Sequence, residues 1–388
     1  MTIYYLSTAD LPSKRAHSIQ QMKMCDSFVE SGEELEFICP SYTLYKENHT
    51  SWSHISGFYD VKNEFNISKV RSFKPGGSLP ARIFKKGVQS GMINLRLLYY
   101  LLSKEIDNTD VIYSRSFYST ILLSNWFNIL PDSISPKIIY EHHNPYSQKL
   151  EKHLCENVDG VVFITEKLKN VTKKNTGIDD GKCFVAPDGV DLRPYQRANT
   201  RSRNSLRKEL DLPLSSKIVA YTGHLYPRKG PQILTRAAVD IDAEVYIIGG
   251  YKEDLTRLKS NSPNCDNINY TGFVEPNKVH KYQLASDVLI APYTTDAWMP
   301  SPLKLFEYMA AGKPIVASGI DVIKEVLDHR NNALLVDPED SSQLANAIQQ
   351  VLSNEELSKA ISKNAKKNVQ QYSWDNRANN ILNFISNI

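Results

Sequence analysis

Short apolar runs alternate with helix-length amphipathic segments along almost the whole of this chain, which restricts it to parallel sheets covered by helices. In the first half the runs are TIYYLS, ELEFICP, DVIYS, KIIYE, GVVFIT and CFVAP. Helical patterns cover Ser18 to Glu30, roughly Pro80 to Glu105, Phe117 to Leu130 and Glu166 to Asn175. The segment Asp188 to Ser205 is polar, charged and free of apolar periodicity, and it reads as a linker. The alternation then restarts with KIVAYTG, AEVYIIGG, NINYTGF, DVLIAPY, PIVAS and ALLVDP. Helices are expected to begin near Pro231, Lys252, Pro276, Pro302, Val322 and Ser341. The tail from Ser373 is an amphipathic helix expected to return to the first domain, with Trp374 as its anchor. A chain of 388 residues is too long for one ordinary core. The expected fold class is therefore α/β, two Rossmann-like doubly wound domains facing each other across a cleft. Residues 1–190 with the helix 373–388 form one domain, 191–205 the linker and 206–372 the other.

Composition removes several function classes. A net charge of +3 does not imply nucleic acid. The cysteines (Cys25, Cys39, Cys155, Cys183, Cys265) have no metal-ligand or CxxC spacing and read as reduced thiols of a cytoplasmic protein. No signal peptide is evident, and the longest apolar patch, Leu95 to Leu102, is too short to cross a bilayer and is broken by Arg96. Gly249-Gly250 lacks the frame of a dinucleotide loop. Asp240-Ile241-Asp242 resembles a metal-binding pair of carboxylates but precedes a strand, so it reads as a helix exit.

The most informative segment for function is SPLKLFEYMAAGKPIVAS, Ser301 to Ser318. Ser301 is placed to cap a helix, Pro302 suits its first position, and Gly312 suits a left-handed stop before a buried strand. A helix N-terminus attracts anions, and a carboxylate further along, Glu307, can accept hydrogen bonds from two neighbouring sugar hydroxyls. Phosphate at one end and ribose beyond it describe a nucleotide-diphosphate site. Glu307 and Lys304, three apart, equally make an ordinary surface pair. Ligands of doubly wound sheets bind beyond the C-terminal strand ends. That selects the loop after YYLS, EHHN after KIIY, HLYPRK after YTG, TTDAWM after IAPY and GFV after NINYT.

The order and spacing of YTGHLYPRKGPQIL, GFV, the Glu-bearing helix with AAGKPIVAS, VAPDGVD and SWDN resemble the family-four retaining glycosyltransferases, which have the GT-B fold. The resemblance covers nearly the whole chain. It implies that Glu307 binds the donor ribose, that Lys229 contacts the donor diphosphate, and that Gly272, Phe273 and Val274 hold the base largely through backbone groups. Gly223 and His224 fall in the first donor loop, and Ser301, Pro302, Leu303 and Lys304 at the head of the donor helix. His143 matches a histidine near the donor sugar, with His142 the competing choice. Three positions depart from the family pattern. His224 stands where an arginine is common, with neighbouring Arg228 as a substitute charge. Met299 stands where the first glutamate of an E-x7-E pair is common. The loop ADLPSKRAH lacks a glycine pair. A sub-group with Ser-Pro-x-Lys before its glutamate is closer, with Lys304 as the extra cation.

The implied reaction moves a sugar from a nucleotide-diphosphate donor, UDP or GDP type, with retention and without a metal or other cofactor. Lys229 and Arg228 stabilise the departing diphosphate, and His143 positions the sugar. The implied acceptor is a glycan or lipid-linked molecule of cell-surface polysaccharide or glycoconjugate synthesis. Lys14, Arg15 and His17 are the candidate acceptor contacts. Lys69, Arg71, Lys74, Arg82, Lys85, Lys86 and Arg96, interleaved with Phe73, Ile83, Phe84, Met92 and Leu95, suit either peripheral contact with an anionic membrane or a solvated helix face. An epimerase or phosphorylase of the same shape, and a non-catalytic nucleotide-sugar binder, are the rival readings.

Overall fold

The computed structural model of the protein describes residues 1–9, 11–13, 16–41, 52–71, 79–198, 201–296 and 301–388, with backbone alone at 16 and 79–90. The chain divides into two compact units, Met1–Asp188 with Trp374–Ile388, and Gly189–Ser373. Each is built on one parallel sheet flanked by helices.

The first sheet comprises β1 (Thr2–Leu6), β2 (Glu34–Ser41), β3 (Asn66–Arg71), β4 (Val111–Ser114), β5 (Lys137–His142), β6 (Gly160–Phe163) and β7 (Cys183–Val185). Its order is β3-β2-β1-β4-β5-β6-β7. The second comprises β8 (Ile218–Thr222), β9 (Glu244–Ile248), β10 (Ile268–Gly272), β11 (Val288–Ala291), β12 (Ile315–Ser318) and β13 (Leu334–Val336), ordered β10-β9-β8-β11-β12-β13. Chain direction across each sheet reverses once, between β1 and β4 and between β8 and β11. At such points crossover helices leave to opposite faces and open a crevice at the strand ends. Among the described residues no helix is long and apolar enough to cross a membrane.

Central strands are apolar on both faces, which is why they read as continuous apolar runs. β3 is not marked by the sequence because Asn-Ile-Ser-Lys-Val-Arg interleaves its two apolar residues with polar ones and makes no apolar run. The helices Trp52–Tyr59, Gln148–Asn157 and Glu355–Asn368 also went unread, the last two being mostly polar with few buried anchors. The expected linker is a structured part of the second unit. It forms a helix at Arg193–Ala198 and the start of another at Arg203–Glu209, and buries Tyr195 and Ala198 in the core. Two isolated anchors are too few to make a period.

Within the first unit the C-terminal helix Trp374–Asn387 lies on the sheet. It buries Trp374, Ala378, Ile381, Leu382 and Ile385, and Phe384 stacks on Phe184 at 5.2 Å. Gly160 makes the seat: a Cβ there would stand 2.9 Å from Ile388 Cδ1 and from Phe384 Cε1. In the second unit a fully buried guanidinium ties helix to sheet. Arg207 donates to the carbonyls of Ala285 at 3.0 Å and Ser216 at 2.8 Å, and to Asp287 Oδ2 at 2.7 Å. Asp287 also accepts from the Ile218 amide at 2.8 Å, fixing the start of β8. Removing one partner of a buried pair strands the other charge. D287A is therefore expected to lose about 3–5 kcal/mol of unfolding free energy, read from denaturant midpoints.

Candidate functional site

In the second unit the polar residues collect where the sheet order reverses. β8 ends at Thr222 and passes into Gly223, whose φ of 124° is a glycine conformation. A Cβ on Gly249 would stand 2.5 Å from the Gly223 carbonyl oxygen, so the loops after β8 and β9 touch backbone to backbone. A short 3-10 turn at Pro227–Lys229 follows and stops at left-handed Gly230. A Cβ at Gly230 would overlap the Pro292 carbonyl oxygen at 1.6 Å. Thr294 donates from its amide and hydroxyl to the Arg228 carbonyl at 3.3 and 3.1 Å. The loops after β8 and β11 are thus locked together, which sets the two basic residues.

The helix Leu303–Ala311 supplies the next groups. Ser301 does not cap it: Pro302 is the capping residue, without a side-chain bond, and the first helical residue is Leu303. Pro302 takes φ −84° and ψ 85°, outside the helical region, so the helix starts one position later than expected. Gly312 ends it in the left-handed conformation, φ 62°, as the sequence predicts.

Lys304 is not the partner of Glu307 in a surface pair. It is 9% exposed, its Nζ has no hydrogen-bond partner, and it lies 3.7 Å from the centroid of the Tyr221 ring and 5.5 Å from that of Tyr293. A Cβ on Gly223 would be 3.5 Å from this Nζ. Lys229 Nζ lies 5.1 Å from the same Tyr293 ring. Burial, then the charge of Lys229, pushes Lys304 well below the usual lysine range. Burial and neighbouring Arg228 bring Lys229 down to about 8. The two ammonium groups repel each other, and among the described residues neither forms a salt bridge, an arrangement that an anion would complete.

Glu307 is held on the same helix, partly exposed. Gln283 Nε2 donates to Glu307 Oε2 and to Thr222 Oγ1, both at 3.1 Å, while Gln283 Oε1 accepts from Tyr195 OH at 2.6 Å. The Thr222 amide donates to Tyr308 OH at 2.9 Å. Burial raises the Glu307 carboxyl, opposed by the Gln283 bond and by Lys304. Among the described residues the second Glu307 oxygen accepts no hydrogen bond. Gly272 is left-handed, φ 73°, at the end of β10; Phe273 is exposed and Val274 packs against the core. Phe273 stacks on Tyr251 at 5.7 Å, and His224 stacks on Tyr226 at 5.2 Å. Burial, Lys229 and Lys304 lower the His224 pKa. Gln283 and Tyr195 lie in no motif, and Tyr221 and Tyr293, at the ends of apolar runs, carry no sign of a site role in the sequence.

The first unit carries a second polar cluster at the end of β5. The histidines point to opposite sides of the sheet, as alternation requires. His142 turns into the core, fully buried among Tyr140, Tyr146 and Phe163, with Nε2 2.7 Å from Glu151 Oε1. His143 turns the other way and bonds through Nε2 to Glu141. Glu141 is fully buried and also accepts from Gln20 at 3.2 Å, from Tyr113 and, across 3.1 Å, from Arg377 of the C-terminal helix. Burial alone raises the Glu141 carboxyl, but Arg377 and His143 outweigh it and hold it well below the usual range. Burial, helped by Arg115, pushes His143 down to about 4. Burial raises nearby Asp188 to about 7. His17 lies in the first turn of the helix Ala16–Glu30, partly exposed. Lys14, Arg15 and Met299 lie outside the described residues. Among the described residues no three metal-ligating side chains converge.

Residues 202–368 match the family described as Glycosyl transferases group 1, and residues 23–193 match Glycosyltransferase Family 4. A D-inositol 3-phosphate glycosyltransferase of Corynebacterium urealyticum is 26% identical over 259 residues, covering 62% of this chain and 60% of that protein. The chain thus spans about 60% of the length of that curated relative. The putative glycosyltransferase YtcC of Bacillus subtilis is 26% identical over 319 residues, 76% of each. Among solved structures, sucrose-phosphate synthase from Thermosynechococcus elongatus has a TM-score of 0.77 at 18% identity, covering 99% of this chain and 98% of its own. Anabaena HepE in complex with UDP-glucose has a TM-score of 0.72 at 15% identity, covering 100% of each chain. Those identities speak for the fold, while the two sequence matches follow one another along the chain. Together they place it in the group 1 / family 4 glycosyltransferases, with the GT-B fold.

Proposed function

We propose that this chain is a retaining, metal-independent glycosyltransferase that moves a sugar from a nucleotide-diphosphate donor to a glycan or lipid-linked acceptor. The observation that carries the reading is the buried Lys304 ammonium, without a hydrogen-bond partner among the described residues, beside Gly223 at the end of β8, with Lys229 near the same Tyr293 ring and Glu307 on the next turn of the same helix as Lys304. In this reading Lys229, Arg228 and Lys304 take the charge that develops on the departing diphosphate, so no metal is called for. Glu307 takes the ribose hydroxyls, and the backbone of Gly272, Phe273 and Val274 takes the base. His143 meets the transferred sugar. A UDP-type donor is favoured because Anabaena HepE, of the same fold, was solved with UDP-glucose.

For the acceptor the reading adds peripheral contact with an anionic membrane. The helix Leu79–Leu102 carries four basic residues and no acidic one, and exposes Met92, Leu95, Tyr99 and Leu102 at helical spacing. Not every basic residue of that region is free for such contact: Lys69 donates to the Leu11 carbonyl at 2.9 Å, and Arg96 to that of Arg71.

Three measurements test the donor site. E307A is expected to weaken UDP binding about tenfold by calorimetry, the loss of charge-assisted bonds to ribose; unchanged affinity would remove Glu307 from the site. K229A is expected to slow transfer by about 10²–10³ in kcat with the melting temperature preserved, assayed in EDTA, where the native protein keeps its activity. Removing a buried, unpartnered ammonium relieves desolvation, so K304M is expected to gain about 1–2 kcal/mol of stability while losing UDP binding. A destabilised K304M that still bound UDP would contradict the assignment.

A further inference from the structure

Glu141 is buried with a guanidinium at 3.1 Å, and a carboxylate so paired can only accept hydrogen bonds. Its bond with His143 Nε2 therefore needs the proton on the imidazole. Arg377 is fixed in turn. Its Nε donates to the Pro187 carbonyl at 2.9 Å and its Nη2 to that of Ala186 at 3.2 Å, in the segment that follows β7. Ser27 donates to Asp375 at 2.7 Å, pinning the first turn of the same helix. Gln20 donates to Glu141 and to Asp188, and accepts from Arg115, which closes the cluster on its remaining side. Nδ1 of His143 has no partner among the described residues and, unlike Nδ1 of His142, is not sealed from solvent.

We infer that Glu141 and Arg377 are positioning residues that hold His143 as its Nε2–H tautomer, so that Nδ1 is offered as a hydrogen-bond acceptor to a hydroxyl of the bound sugar. This rests on the reading that His143 meets the transferred sugar. The depressed basicity of His143 agrees with it, since a neutral ring has one donor and one acceptor and the donor is already committed. A ring with a free Nδ1 acceptor selects a hydroxyl and rejects a carbonyl or carboxylate at that place. The C-terminal helix, remote in sequence, thereby sets the polarity of a ligand contact on β5.

The test uses the full-length protein labelled with 15N at histidine, in long-range 1H–15N spectra. The signals of His143 are those missing from H143Q. The expected pattern is a protonated Nε2 and a bare Nδ1, retained in R377K, which keeps a cation beside Glu141. In E141Q, where the side-chain amide can donate to the ring, the pattern is expected to exchange. UDP-glucose affinity should then fall about tenfold, the size of one hydrogen bond, while UDP affinity stays within about twofold. A protonated Nδ1 in the native protein would overturn the inference, and that spectrum decides even if E141Q does not fold. An exchanged tautomer with undiminished UDP-glucose binding would overturn the role given to Nδ1. If the native protein bound neither UDP nor UDP-glucose, the donor-site reading would fail instead, and the spectrum would still decide the tautomer.

Discussion

The guanidinium of Arg377 holds together a unit whose chain is discontinuous. The first unit is built from Met1–Asp188 and then, after the whole second unit has been traversed, from Trp374–Ile388. The apolar residues of the last helix supply adhesion, but apolar contact is tolerant of a shift by one turn. The bonds of Arg377 to Pro187, Ala186 and Glu141 are not, because each needs its own partner at its own place. Burying both charges costs several kcal/mol per ion, so the pair is weak evidence for stability and better understood as a device for register. The same carboxylate then fixes an imidazole at the end of β5.

At its candidate site the second unit handles charge in the opposite way. Lys304 is buried there without a hydrogen-bond partner among the described residues, against the faces of Tyr221 and Tyr293 rather than in a salt bridge. The ring faces return part of the desolvation cost without neutralising the charge. The surrounding backbone is correspondingly rigid. Gly249 against Gly223, and Gly230 against Pro292, are approaches that no side chain could permit. A site with its donors set before the ligand arrives has little left to reorganise during reaction, which is where electrostatic stabilisation draws its strength.

Legibility in the sequence follows the range of the interactions. The central strands β8, β9, β11 and β12 of the second sheet are visible as apolar runs because both faces are covered, whereas edge strand β3 mixes polar and apolar residues and makes no run. Gly312 is legible because a left-handed stop is a property of one residue, and the helix start was misread by one position because proline and serine compete for the cap. The spacing of Lys304 and Glu307 places both on one helix but does not say where a flexible lysine points; the tyrosines of the neighbouring strands decide that. Gln283 and Arg377 were illegible for the same reason. One meets Glu307 across 24 residues, the other meets Ala186 across 191, and neither separation leaves a local pattern. His142 and His143 could not be ranked from sequence, since strand alternation separates them but does not say which side is core.

His224 shows how a departure from a family pattern can be absorbed elsewhere. An arginine at that position would bring a fixed charge to the loop after β8. The imidazole instead stacks on Tyr226, and burial with two lysines nearby lowers its tendency to take a proton. It therefore carries less charge than an unburied imidazole would. Lys304 reaches the same loop from the helix that follows β11, coming within 3.5 Å of where a Gly223 side chain would begin. In the proposed site Lys304 brings to this loop, from the helix, a cation that His224 does not supply. A lysine with depressed basicity is a more conditional charge than a guanidinium, which stays protonated at any relevant pH. Occupation of such a site by an anion favours the protonated lysine, so ligand binding and proton uptake become one event.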